Sequence, residues 1–431
     1  MRLATLSALA LALAWPAAGR AGEGPEPQER FVVHEWGVQV RTRAVISSGI
    51  GFGPRPDAKF QTVLAAPKEL ISGLPPFVLR HEKQYTPARH ARNWDKPVLH
   101  LYGRDGLEFS VKVLTAAGRP LAYWPKPQLV EETFWMMGSG VTDAVGLSWK
   151  GKLSGERPAG LPEAAPGHWW NTVREVPGRW LKTDGGTERF IFYEASAVQE
   201  PLVVGTLSAE ELVLENTHAA ETGPVVVIVN DGEERHFVSV PTIAGKAAVK
   251  LARKDVLAGE GDGEKLLAAC RAQWQAFGMT KEEAKAIVET WKPDLLNKVG
   301  FLVAARVPAE VYDKILPLTI SPRPGETVRA GVVFDTLPEE RAQLAWLPTL
   351  ERTLEKLVKG LDAEKPEPRQ EASARLAALG DPARLYLEKL IAESPSPAVR
   401  AAARTMLDKL APGILELPVH GRGSQPVNLK R

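Results

Sequence analysis

The sequence predicts a multidomain protein with a mainly antiparallel β-sandwich body, a small α+β unit and a C-terminal all-α, HEAT-like segment. Three observations predict it. Residues 31–251 form a succession of short runs rich in β-branched and aromatic residues, separated by Gly, Pro, Asn and Asp. Near Asp255 the apolar spacing lengthens to the three-to-four-residue period of helices. From Pro338 onward that helical spacing continues. At 431 residues the chain is long enough for two or three domains.

Residues 1–21 read as a signal peptide. Met1-Arg2 is a short positive start, residues 3–18 are an apolar run, and the small residues Gly19 and Ala21 precede the expected cleavage after Ala21. The run is too short for a stable membrane anchor. The expected product is exported, soluble, and periplasmic or extracellular. A polar linker, 22–30, follows.

The β-rich N-terminal domain is expected over 31–205. It includes the runs "FVVHEWGVQV", "KPVLHLY", "LEFSVKVLT" and "RFIFYEA". Segment 151–167, rich in Gly and Pro, reads as an exposed loop. Immunoglobulin-like strands are expected over 206–255, completing a sandwich with strands before them. Over 256–337 the pattern is α+β. Leu266, Leu267, Cys270, Trp274 and Phe277 lie on one side of a helix. Thr280 and Glu283 have the spacing of a capping box ahead of Ala284, Ile287, Val288 and Trp291. Then "GFLVAARV" reads as a strand, a short helix opens at Pro308, and "TVRAGVVFDTL" reads as another strand.

Segment 338–412 is helical, with Pro348 read as a kink. Its stretches "EPRQEASARLAAL" and "SPAVRAAARTMLDKL" are alike and HEAT-like, and such units need stacked neighbours to bury their faces. Residues 413–431 read as a flexible tail.

Charge and cysteine content narrow the function classes. The chain carries 54 Lys+Arg and 52 Asp+Glu, without the basic excess of a nucleic-acid binder. Its single cysteine, Cys270, leaves no intrachain disulfide and no Cys-rich zinc site, and it sits on an apolar helical stripe. "GIGFGP" lacks the following helix of a dinucleotide fingerprint. "MGSGV" has Met137 where a nucleophile elbow needs Gly.

The pair His34-Glu35 opens the first strand. Alternate side chains of a strand face opposite ways, so the two point apart unless a bulge at Gly37 intervenes. His34 lies in an apolar row with Trp36 and reads first as a core histidine. Both are nonetheless the catalytic candidates. His34, His81, His90 and His100 are candidate metal ligands, since three histidines on neighbouring strands can hold zinc. The motif His-Glu-x-x-His is absent, and no cofactor is predicted. Segment 80–104 is locally basic, and Arg80, His81, Arg89, His90, Arg92, Trp94 and Trp124 are candidate contacts to a glycan or an anionic ligand. Eight of the twelve tryptophans lie between Trp36 and Trp180, where indoles fill a core or stack on sugars.

The strand His34–Gly37, "KPVLHLY" and the block over 283–337 together resemble a family of exported bacterial proteins that open with a His-Glu-Trp-Gly strand just after the signal. Val38-Gln39 stand where that family's pattern has Thr-Phe, and His100 stands where it has Tyr. The resemblance implies the architecture and no reaction. The expected function is binding or scaffolding in the bacterial envelope, with a protein partner at the HEAT-like segment or a glycan or anionic ligand at the β-rich domain. No nucleic-acid partner and no membrane span are expected. The alternative is an extracytoplasmic hydrolase, metal- or carboxylate-dependent, with its site near His34 and segment 80–104.

Overall fold

The computed structural model describes residues 30–42, 73–81, 91–115, 118–136, 140–198, 202–336, 345–361, 363, 365–379 and 381–410. The signal peptide, the linker up to Glu29 and the tail lie outside them.

In chain order the strands are β1 (Val32–Thr42), β2 (Leu79–Arg80), β3 (Ala91–Tyr102), β4 (Glu108–Thr115), β5 (Gly118–Trp124), β6 (Gln128–Met136), β7 (Gly140–Ser154), β8 (Trp180–Thr183), β9 (Gly186–Glu188), β10 (Ile191–Val198), β11 (Val203–Leu207), β12 (Glu211–Asn216), β13 (Val225–Asn230), β14 (Arg235–Val240), β15 (Ala248–Ala252), β16 (Gly300–Val307), β17 (Leu318–Ser321) and β18 (Glu326–Thr336). The helices are α1 (Trp169–Glu175), α2 (Arg253–Leu257), α3 (Gly263–Ala276), α4 (Lys281–Asn297), α5 (Ala309–Ile315), α6 (Pro348–Leu361), α7 (Pro366–Leu379), α8 (Asp381–Glu393) and α9 (Pro397–Leu410).

Among the described residues sheet dominates, divided among open sheets of nine, six and three strands. The nine-stranded sheet has the order β14-β13-β16-β18-β1-β3-β10-β5-β2. Its centre joins the first long strand to the last: β1 pairs β18 in parallel along its whole length, from Val32↔Glu326 to Thr42↔Thr336. Strands from 31–205, 206–255 and 256–337 therefore share one hydrogen-bonded layer, and the sequence boundaries at 205 and 255 do not follow the sheets. The strands read as immunoglobulin-like divide: β13 and β14 form one edge of the large sheet, while β12 and β15 join β11 in the three-stranded sheet. Long-range pairing decided this, and local strand patterning carries no record of it.

Three apolar cores follow from the two faces of the large sheet. One face buries Trp36, Val98, Phe192, Ile228, Leu302 and Val332 beneath α1, α3 and α4. The other face meets the six-stranded sheet through Val33, Leu99, Leu101, Val111, Leu147 and Tyr193. Beyond it, Val227, Val229 and Val303 share a core with Leu212, Leu214 and the C-terminal helices. Strand β13 is covered on both faces, which is why it reads as the unbroken apolar run "VVVIVN".

The capping box of α4 is present: Thr280 Oγ1 accepts from Glu283 N at 3.1 Å, and Glu283 Oε2 accepts from Thr280 N at 2.9 Å. Residues 345–346 are helical, the helix is interrupted at Leu347, and Pro348 opens α6, where its missing N–H costs nothing in a first turn. One local expectation changes. Residues 151–154 of the expected loop continue β7, paired with β8. Among the described residues no helix is long and apolar enough to cross a membrane.

Candidate functional site

Helix α4 lies over the large sheet with a polar cluster under each end. At its N-terminal end Glu283, fully buried, accepts from His34 Nδ1 at 2.8 Å, from Tyr102 Oη at 2.7 Å and from Thr280 N. An ionised carboxylate can only accept, so His34 carries its proton on Nδ1. His100 stands opposite His34 across the β1–β3 pair, with Nδ1 3.8 Å from Glu283 Oε1. Burial alone would raise the Glu283 pKa, but the His34 hydrogen bond, His100 and the helix cap hold it at about 2. Burial pushes His100 down to about 4, against the pull of Glu283. It also pushes Tyr102 up, reinforced by Glu283. Both ring nitrogens of His100 are buried without a hydrogen-bond partner among the described residues, but the carboxylate at the centre is saturated and the second imidazole is held neutral, the chemistry of an anchor fixing α4 to the sheet.

Glu35 faces the opposite side, as strand alternation requires. It accepts from Tyr193 Oη and Arg329 Nε, each at 2.5 Å, and Arg329 also reaches Asp313 Oδ1 and the Leu316 carbonyl. Burial works against the Arg329 charge, and Glu35 outweighs it to raise its pKa. His34 and Glu35 serve separate networks on separate faces and form no dyad.

The second cluster arises from a fault in the β ladder. The β1–β3 register slips between Trp36 and Val38, the β10–β3 register between Phe192 and Ala195, and the β10–β5 register between Glu194 and Ala195. Strand β3 carries an extra residue at Lys96-Pro97, and Lys96 has φ +52°, a left-handed backbone costing a non-glycine about 1–2 kcal/mol. Gly37 faces this bulge, and a Cβ there would lie 3.0 Å from Tyr312 Oη and 3.4 Å from Pro97. The bulge shifts the side-chain phase. Asp95, paired with Val38, joins the helix-covered face, while Trp94, paired with Gln39, turns to the other.

Asp95 therefore meets Glu194 of β10 beneath the C-terminal half of α4. Both carboxyls are at least 94 % buried. Burial pushes Asp95 up to about 7, with Lys96 opposing and Asp294 adding to the rise. Burial and Asp95 raise Glu194 well above the carboxylate range, against Lys96 and Arg80. The pair accordingly holds a proton at neutral pH. Lys96 Nζ lies 3.9 Å from the Trp291 ring centroid and 5.5 Å from that of Trp169. Phe77, Trp124 and Trp169, all half-buried, form the rim, with Phe77 5.2 Å from Trp124. Asp95 Oδ1, Glu194 Oε2, Trp124 Nε1 and Trp291 Nε1 are buried without a hydrogen-bond partner among the described residues.

The sequence candidates disperse. His34 and His100 converge on Glu283, but His81 follows β2, four strands from β1 and about 19 Å away at 4.8 Å per strand. His90 and Arg89 lie outside the described residues, and of Arg92 only the backbone is described. Among the described residues no group of three or more His, Cys, Asp or Glu is placed to hold a metal ion. Trp94 offers no face to a ligand: it is fully buried, stacked on Tyr312 at 4.5 Å. Trp124 stands on the rim, and Arg80 lies opposite Ala122 in the row of Glu194. Sequence reasoning missed Asp95, Lys96, Glu194 and the second role of Glu283. A signal existed for two of them, since Glu194 in "FIFYEA" and Asp95 in "NWDKPV" are carboxyls within apolar strands. Cys270 is buried, and burial pushes its thiol up to about 12.

A hollow of about 210 Å³ lies elsewhere, between the β13–β14 turn and helices α6 and α7, lined by Asp231, Glu233, Leu350, Thr353, Arg375 and Leu379. The left-handed Lys96 and the raised carboxyls of Asp95 and Glu194 make their cluster the stronger candidate. No family model, no curated protein and no solved structure matches this chain.

Proposed function

We propose that this chain is an exported binding protein of the bacterial envelope whose ligand is received at the Asp95–Glu194 cluster. The observation that carries the proposal is the combination of a left-handed Lys96 with carboxyl oxygens left unpartnered in the interior. Packing gains nothing from either, and such costs collect at binding sites. The signal-like opening supports export to the periplasm or beyond. On the same reading the two sheets sharing the Leu99 core form a sandwich, and α6–α9 form a HEAT-like surface for a protein partner.

The experiment is a thermal-shift screen of small molecules, oligosaccharides and peptides on the wild type and on the double variant Asp95→Asn/Glu194→Gln. A ligand that raises the wild-type Tm and leaves the double variant unmoved supports the site. Ligands that stabilise both proteins equally refute it.

A second reading, a carboxylate-dependent hydrolase, draws on one observation: a proton-sharing carboxyl pair is equipped for acid–base work. Product release from a bound ligand by the wild type, absent in the double variant, would select it.

A further inference from the structure

We infer that the ligand received at this cluster is a neutral, hydroxyl-rich saccharide, hydrogen-bonded to Asp95 and Glu194 with a sugar face against the aromatic rim. The inference rests on the site proposed above and adds the chemical class of its ligand. Three features of the cluster lead to it.

The unclaimed atoms are of two kinds. Asp95 Oδ1 and Glu194 Oε2 are carboxyl oxygens, whereas Trp124 Nε1 and Trp291 Nε1 can only donate. A cation would satisfy the oxygens and leave the indoles idle, and an anion the reverse. A hydroxyl both donates and accepts, so a polyol answers both kinds with one functional group.

The rim has the second requirement. Phe77, Trp124 and Trp169 are contiguous and half-buried, Phe77 against Trp124 at 5.2 Å and Trp169 against Phe192 at 5.9 Å. Half-buried aromatic rings beside polar groups suit a ligand with an apolar face and polar edges. Charge supplies the third. Among the described residues Lys96 and Arg80 stand against Asp95, Glu194 and Asp294, and the pair retains a proton, so their charges nearly balance and select neither a polyanion nor a polycation. The cation–π position on Trp291 is filled by Lys96 itself.

Binding should be linked to protons. The groups facing the pair are Lys96 on its own strand, Arg80 from β2 and Asp294 from α4, and α1 contributes the uncharged Trp169. As pH rises through about 7 Asp95 ionises, its proton is no longer offered to a ligand hydroxyl, and affinity should fall.

The test uses the full-length mature protein, tryptophan fluorescence and calorimetry. The probes are cellohexaose, xylohexaose, mannohexaose, chitohexaose, spermidine and polygalacturonate, at pH 6 and pH 9. At least one neutral hexasaccharide should bind. Asp95→Asn/Glu194→Gln and, separately, Trp124→Ala should each weaken it tenfold or more, as should the change from pH 6 to pH 9. Binding of spermidine or polygalacturonate instead, lost in the double variant, would overturn the neutral saccharide while leaving the site. Binding that survives both variants would overturn the saccharide's placement at this cluster. A silent panel would overturn the saccharide, and a silent thermal-shift screen beside it would remove the site as well.

Discussion

The two ends of α4 differ in how their carboxyls are satisfied, although His100 at the first end also keeps unpartnered ring nitrogens. At the N-terminal end one carboxylate gathers a histidine, a tyrosine and a backbone N–H, and stays ionised to about pH 2. At the C-terminal end two carboxyls share a proton beside a strained lysine, with oxygens that nothing claims. The two clusters have similar burial and related residue types. A saturated buried carboxylate contributes to holding the fold, and an unsaturated pair stores a cost that a ligand can relieve. That contrast separates anchor from site more sharply than residue identity does, since the histidines drew attention in the sequence and the carboxyl pair did not.

The contrast is exposed to measurement, and the largest effect belongs to the anchor. Glu283→Ala leaves His34 and Tyr102 without their acceptor and should cost about 3–5 kcal/mol in urea unfolding, the range for breaking a buried polar pair. A cost under about 1 kcal/mol would mean the cluster does not hold α4.

The pH dependence comes next, because the two ends have opposite signs. The His100 pKa is depressed in the fold, so its contribution is complete above about pH 6.5 and is lost as pH falls toward 4. Glu283, held at about 2, continues that loss from pH 4.5 downward. The Asp95 pKa is raised, so its contribution is complete below about pH 4 and is lost as pH rises through 7. Between pH 4 and 7 the wild type should show a flattened stability profile. Asp95→Asn removes one of the two opposing carboxyls and leaves Glu194, so stability should rise more steeply with pH over that window than in the wild type, by up to about 3 kcal/mol. Unfolding midpoints at half-unit pH steps decide it, and an unchanged profile in the variant would contradict the opposition.

A smaller effect concerns absolute stability. At pH 8, where the wild type must hold the pair against ionisation, Asp95→Asn should raise stability by about 1–3 kcal/mol. A loss as large as that of Glu283→Ala would make the two ends equivalent. Smallest is Lys96→Gly at pH 6. It relieves the left-handed backbone and removes the ammonium from Trp291, terms of similar size, so stability should stay within about 1 kcal/mol of wild type.

Much of this was legible in the residues. Alternation in β1 separates His34 from Glu35, and the structure places them in networks on opposite faces of the sheet. The spacing Thr280 to Glu283 marks the start of α4, and the apolar stripes of α3 and α4 mark their buried sides. These are interactions among near neighbours, written in a window of a few residues. The role of Glu283 as acceptor for His34 joins residues 249 positions apart. The parallel pairing of β1 with β18, which merges the segments read as separate domains, depends on contacts equally remote. The Lys96-Pro97 bulge is the most instructive case. One extra residue in β3 reverses which way Trp94 and Asp95 face, so the alternation that succeeds in β1 fails there, and it fails because the partner strands, absent from any local window, decide where the ladder slips.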